Sequence, residues 1–377
     1  MQTIRDINLE NKKVILRVDY NVSIKDGKVV DNNRITSSLN TINYLKEKNC
    51  KIILMSHLGK VKTKEDSETL TLLPVKDELS KLLNEEIKFS SELKGKELEK
   101  KINSLKEKEI LLLENTRTLD YPDKLESNCD EELSKYWASL GDVFVLDAFA
   151  SAHRAHASTY GISKYLPHVV GFLVEKEIKE LDKIKEEKKV LVLGGAKVND
   201  KIGVIKNLLP TSDKVLVGGA MCASFLKSEG FEVGNTSVEE DYLNECKELI
   251  NTNKIVFPID VVTENGIKEV GSINKDESIF DIGPETIKLF EKMLKNKPLI
   301  LMNGTMGKYE EEKYENGTKE LFEFLKKDER KVVVCGGDAG AASKKYNFTP
   351  YYLSTGGGAS LEYLEGKILP ALEIMEA

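Results

Sequence analysis

The 377-residue sequence is poor in cysteine and histidine and carries none of the common nucleotide-loop signatures. Its five cysteines, Cys50, Cys129, Cys222, Cys246 and Cys335, are odd in number and include no C-x-x-C pair. Buried thiols in a reducing compartment are expected from that pattern, not a disulfide framework. Four histidines without clustered Cys/His spacing argue against a structural zinc site. No apolar run approaches the ~18 residues needed to span a bilayer. The first residues, MQTIRDINLENKK, lack the apolar core of a secretory signal. A cytoplasmic protein without membrane attachment is expected. The absence of G-x-x-x-x-G-K-[ST] excludes a P-loop enzyme, and the absence of H-R-D and D-F-G excludes a protein kinase. No G-x-G-x-x-G follows the first strand-like run, which argues against a dinucleotide-dependent dehydrogenase. With a net charge of −7, non-specific binding to nucleic acid or an acidic membrane is disfavoured.

What is present is a regular alternation. Short apolar runs recur: VILRV (14–18), IILMS (52–56), ILLLE (110–114), VFVLDAF (143–149), VLVLGG (190–195), VLVGG (215–219), IVFPIDVV (255–262), LILMNG (299–304) and VVVCGG (332–337). Runs this continuous suit strands buried on both faces, as in parallel sheets under helices. Amphipathic stretches such as PETIKLFEKMLK separate them. The alternation predicts an α/β protein built from βαβ units. At roughly 150 residues per domain, two domains are expected.

The two halves differ at their strand ends. The first half carries RVDYN, SHLGK, ENTR and DAFASAHRAH; the second carries LGGAK, VGGAM, NGTMG, CGGDAG and STGGG. Ligands of open α/β sheets bind beyond the carboxyl ends of the strands. The first half therefore reads as a site for an anionic metabolite. Arg34, Arg117 and Arg154 stand out in a chain that otherwise prefers lysine, and an arginine fork grips carboxylate or phosphate bidentately. His57, Lys60, His153 and His156 lie beside them, and Asp19 and Asn21 are placed to orient a hydroxyl or an arginine. The second half reads as built for phosphates: GGAKVNDKIG offers backbone N–H groups with Lys197 and Lys201 four apart. Asp338 at a helix start fits two roles, N-cap or Mg²⁺ ligand. Gly356, Gly357 and Gly358 precede another helix.

At these residues the sequence resembles the phosphoglycerate kinase family from end to end. The blocks that carry the resemblance are RVDYNV, SHLGK, LLLENTR, DAFASAHRAHAS, YLPHVVGFLVEKEI, GGAKVNDKIGV, DIGP, NGTMGKYE, GGDAGAA and STGGGASLEYLEGK. The resemblance implies two doubly wound, Rossmann-like parallel-sheet domains joined by a hinge helix. Residues 1–170 would bind phosphoglycerate and 171–357 a nucleotide, with about 358–377 returning to the first domain. It places Asp19, Asn21, Arg34, His57, Lys60, Arg117 and Arg154 on the substrate. It places Lys201, Gly218, Gly219, Asn303, Glu310, Gly336, Gly337, Asp338 and Ala339 on the nucleotide, with Mg²⁺ on Asp338. Arg34, Lys197, Gly357 and Gly358 would surround the moving phosphoryl group. The implied reaction is reversible transfer from 1,3-bisphosphoglycerate to ADP in glycolysis, by hinge closure and direct in-line transfer, in a monomer. The chain departs from the family pattern at Lys60, where arginine is usual, and at Leu146, Met302, Thr305 and Ala339.

Overall fold

The computed structural model describes residues 1–327 and 329–376. The chain divides into two compact units, Met1–Lys179 with Ile368–Ala377, and Glu180–Lys367.

The first unit is built on six strands: β1 (Lys13–Val18), β2 (Lys51–Met55), β3 (Lys88–Ser90), β4 (Ile110–Leu113), β5 (Val143–Asp147) and β6 (His168–Val170). Their order is β3-β4-β2-β1-β5-β6 and every pairing is parallel. Central β1 sets Leu16 between Leu54 of β2 and Val145 of β5, all fully buried. Apolar side chains fill both faces of these strands because helices cover both, so alternation disappears from the sequence. Helices Leu39–Glu47 and Leu73–Leu83 bury Ile42, Leu45, Val75 and Leu79 in this core. The terminal helix Pro370–Glu376 belongs to this unit: Ala371 N donates to Ala152 O at 3.1 Å, and the carbonyl of Ile374 lies 2.9 Å from His168 Nε2.

The second unit has strands β7 (Lys189–Leu193), β8 (Ser212–Val217), β9 (Ile255–Val256), β10 (Asp260–Thr263), β11 (Gly266–Glu269), β12 (Asp281–Ile282), β13 (Leu299–Asn303), β14 (Lys331–Cys335) and β15 (Tyr352–Leu353). Six form a parallel sheet in the order β9-β8-β7-β13-β14-β15. The other three form an antiparallel sheet, β11-β10-β12. The run IVFPIDVV, expected as one strand, is split between the two sheets. Pro258 lacks an N–H to donate to a ladder and separates β9 from β10.

Each large sheet has a point where the strand order reverses. In the first unit the chain leaves β1 for β2 on one side, and β5 lies on the other. In the second it leaves β7 for β8, with β13 on the opposite side. Loops diverge there and leave a crevice at the carboxyl ends, the usual ligand position in such sheets. The helix Phe172–Glu186 carries the chain across the boundary between the units. Its first turn is held by Asp147, whose Oδ1 accepts from Leu173 N at 2.9 Å and Val174 N at 3.3 Å. Burial pushes the Asp147 carboxyl up to about 6.

Candidate active site

In the first unit, basic side chains gather at the carboxyl end of β1, β2, β4 and β5. Arg17, the penultimate residue of β1, is fully buried. Its Nε donates to Ser158 Oγ at 2.8 Å, Nη1 to the Val18 carbonyl at 2.5 Å, and Nη2 lies 3.1 Å from His57 Nδ1. Just beyond β1, Asp19 accepts from Arg34 Nη1 at 2.6 Å. Asn21 accepts the Gly59 N–H at 2.9 Å, tying the loop after β1 to the SHLGK loop after β2. Fully buried Asn115 ties that loop to the next one. Its Oδ1 accepts from Leu58 N (2.9 Å) and Arg117 N (3.1 Å), and its Nδ2 donates to the carbonyls of Leu58 (2.8 Å) and Leu70 (2.9 Å). Arg117 is thereby fixed beside His57, and its own buried Nε has no hydrogen-bond partner within the protein.

The groups at this site act on one another electrostatically. Burial, then Arg17, Arg117, His156 and Arg34, hold His57 well below the usual histidine range. Burial, then Arg117, Arg17 and Arg154, push His156 down to about 3. Both imidazoles are therefore neutral hydrogen-bonding groups near neutral pH. The arginines are not balanced: Asp19 and fully buried Glu126 are the carboxylates whose fields reach Arg17. An excess of guanidinium with an unpaired buried N–H suits an incoming multiply charged anion. Arg154 and Lys60 are exposed on the same loops.

In the second unit three glycine turns interlock at the reversal point. Gly194 N donates to Asn303 O at 2.9 Å, Gly195 N to Thr305 O at 3.2 Å, and Gly219 N to Met306 O at 2.9 Å. A Cβ on Gly194 would lie 2.0 Å from Thr305 O; one on Gly219, where φ is +65°, would lie 2.5 Å from Gly195 N. These glycines are required by the approach of one loop to another. Gly218 likewise has no room beside Met306 Sδ, at 2.5 Å. Gly337, Gly357 and Gly358 differ: a Cβ on any of them would meet nothing within 4 Å. Gly336 and Gly357 take positive φ, +90° and +53°, immediately before helices Gly337–Lys345 and Gly358–Leu364.

Lys201, mostly buried, donates to Asn303 Oδ1, while Asn303 Nδ2 donates to Cys335 O at 2.8 Å. Burial lowers the Lys201 ammonium, and Asp200, Asp338 and Cys335 offset part of that. A pocket of about 380 Å³ opens beside these loops. Gly195, Ala196, Gly219, Ala220, Thr236, Phe280, Thr305, Lys308 and Asp338 are among its lining residues. Phe280 is braced by stacking on Tyr314, with ring centroids 4.5 Å apart. Lys197, Glu310 and Asp338 are exposed, and Ala339 and Met302 are buried in the core. The size and the mix of apolar wall with a few polar groups suit a small organic ligand.

Sequence reasoning overlooked Arg17, Asn115, Glu126 and Ser158 in the first unit and Thr236, Phe280 and Lys308 in the second. Arg17 left a signal, a charge inside the otherwise apolar run VILRV. Glu126 left none.

The model of one protein family, described as phosphoglycerate kinase, matches residues 4–367. The chain belongs to the phosphoglycerate kinase family. A phosphoglycerate kinase of Fusobacterium nucleatum is 46% identical over 389 residues, covering 98% of this chain and 98% of that protein. One of Listeria monocytogenes is 47% identical over 387 residues, with the same coverage of both. The phosphoglycerate kinase structure from Coxiella burnetii superposes with a TM-score of 0.88 at 35% identity, covering 99% of this chain and 98% of the other. That from Pyrococcus horikoshii gives 0.85 at 32% identity, covering 100% and 98%. These neighbours and the two six-stranded parallel sheets bear out the Rossmann-like α/β fold expected from the sequence. The chain is a phosphotransferase, and reversible glycolytic phosphoryl transfer is the general function of phosphoglycerate kinases. Among the described residues, no helix is long and apolar enough to cross a membrane.

Proposed function

We propose that the first unit holds phosphoglycerate on its arginine cluster, that the second holds an adenine nucleotide in the 380 Å³ pocket, and that the phosphoryl group passes directly between them. The observation that carries this reading is the excess of guanidinium at the β1, β2 and β4 ends, with Arg117 Nε left unpaired. Asp19, Asn21, Arg34, His57, Arg117 and Arg154 act on the substrate, with Lys60 at the margin. Lys201, Gly218, Gly219, Asn303, Glu310, Gly336, Gly337, Asp338 and Ala339 act on the nucleotide, several of them by shaping its loops. Arg34, Lys197 and the N–H groups of Gly357 and Gly358 neutralise the equatorial oxygens of the transferred group.

Little covalent chemistry is asked of the protein. The attacking group is already an oxyanion, so no general base is needed, and positioning with charge stabilisation carries catalysis. His57 and His156 are consistent with this, since burial keeps both neutral.

Mg²⁺ fits one position. Among the described residues no group of three or more metal-ligating side chains occurs, but Mg²⁺ is commonly held by one carboxylate with phosphate oxygens. Asp338, exposed in the pocket wall, is that carboxylate. Bound there, the ion would screen the nucleotide phosphates. In-line transfer needs both ligands bound at once, with closure about the hinge helix as the accompanying motion. We take the protein to act as a cytoplasmic monomer.

The test is a coupled assay for ATP formation from 1,3-bisphosphoglycerate and ADP. Sustained turnover is expected. Nucleotide binding without turnover would replace the kinase reading with that of a ligand-binding sensor.

A further inference from the structure

Arginine keeps its proton in proteins and has no acceptor. A nitrogen that faces a guanidinium N–H must therefore be an acceptor. His57 Nδ1 lies 3.1 Å from Arg17 Nη2. His57 consequently carries its single proton on Nε2, and that N–H is its only donor.

What aims Arg17 is a second layer. Its Nε donates to Ser158 Oγ at 2.8 Å. Ser158 Oγ has already received that hydrogen bond, and its own proton goes to Glu126 Oε1. Ser158 N donates to Glu126 Oε2 at 3.0 Å. Glu126, Ser158 and Arg17 are all 0% exposed. Glu126 and Ser158 therefore hold Arg17 in the orientation that turns its Nη2–H on His57 Nδ1.

We propose that Glu126 and Ser158 are positioning residues of the phosphoglycerate site: through Arg17 they lock His57 as the Nε2–H tautomer, making it a fixed donor to substrate. The proposal rests on the reading of His57 as substrate-binding. Glu126 and Ser158 do not touch the ligand in this account. Glu126 also lies close enough for its field to favour the charged form of Arg17, and Arg17 in turn opposes the upward push that burial gives the Glu126 carboxyl. Because Ser158 stands between them, the guanidinium is not drawn into a direct fork with the carboxylate. Its second amino group stays available to His57.

The tautomer can be read without any assay of activity. Long-range ¹H–¹⁵N spectra of imidazole nitrogens distinguish Nδ1–H, Nε2–H and protonated rings. With four histidines in the chain, one His57→Gln variant assigns the signal. In the wild type, His57 should appear as neutral Nε2–H from about pH 6 to pH 8. An Nδ1–H or protonated His57 there overturns the proposal, whatever any variant does. In Ser158→Ala and Glu126→Gln the His57 signal should shift toward a mixture of tautomers. The KM for 3-phosphoglycerate should rise about tenfold while the nucleotide KM stays unchanged. Folded variants with an unshifted His57 signal, or with both KM values raised together, overturn it. If either variant does not fold, the wild-type spectrum and the other variant decide. A wild type that shows the Nε2–H tautomer but binds no phosphoglycerate refutes the proposed function and leaves the relay intact.

Discussion

Gly219→Ala separates the two kinds of glycine in the second unit. Gly219 sits at φ +65°, where an added Cβ costs about 1–2 kcal/mol in backbone strain. The same Cβ would lie 2.5 Å from Gly195 N, 2.6 Å from Gly195 O and 2.9 Å from Thr305 O. All three are backbone atoms of interlocked loops, which cannot rotate away as a side-chain end could. Overpacking of that kind adds about 1–3 kcal/mol. The substitution should therefore destabilise the protein by about 2–5 kcal/mol. Urea denaturation followed by circular dichroism measures this, and the displaced loops should also raise the nucleotide KM. Gly358→Ala is the counterpart. Gly358 opens a helix, a Cβ there meets nothing within 4 Å, and replacing a helical glycine stabilises by about 0.5–1 kcal/mol. Its stability should hold or rise while turnover falls, because the methyl group enters the space assigned to the phosphoryl group. A loss below about 0.5 kcal/mol in Gly219→Ala, or full turnover in Gly358→Ala, would refute the division between packing glycines and ligand glycines.

Arg34→Ala should lower kcat by at least about 10²-fold, the usual effect of deleting a charge-stabilising donor, and near-normal turnover in a steady-state assay would remove its assigned role. Chelation of divalent cations with EDTA should abolish turnover and leave the thermal melting profile of the ligand-free protein unchanged, because Asp338 is an exposed carboxylate outside the core. Burial raises Asp281 from 3.8 to about 7, so the folded state binds this proton more tightly than the unfolded chain does. Its stabilising effect is complete below pH 3.8 and is lost as pH rises through about 7. Wild-type stability relative to Asp281→Asn should accordingly fall with rising pH across that window, by up to about 1.4 kcal/mol per pH unit, in urea titrations at a series of pH values. A pH-independent difference would contradict the account of Asp281.

The inner strands of both large sheets were legible because burial on both faces writes itself as unbroken Val, Ile and Leu. VILRV, IILMS and LILMNG each fall within a residue or two of an observed strand. The edge strands Lys88–Ser90, His168–Val170 and Tyr352–Leu353 are two or three residues long and leave too little pattern to read. The antiparallel sheet was hidden because IVFPIDVV looks like one buried run until the ladder break at Pro258 is taken into account. At the site, long-range polar pairing was out of reach. Asp19 and Arg34 are close in sequence and were both legible; Glu126 and Arg17 meet only through Ser158, 141 residues from Arg17, and no spacing rule connects them. Glycine in these loops answers to two separate demands. Gly194, Gly218 and Gly219 are explained by loop contacts, whereas Gly337, Gly357 and Gly358 retain open space.

One ligand is assigned to each unit, and a crystal structure with 3-phosphoglycerate and a magnesium nucleotide is the decisive test. Phosphoglycerate is expected against Arg34, His57 Nε2, Arg117 and Arg154, and the metal beside Asp338. Phosphoglycerate seated away from the arginine cluster, or a nucleotide bound outside the pocket walled by Gly219 and Phe280, would contradict it.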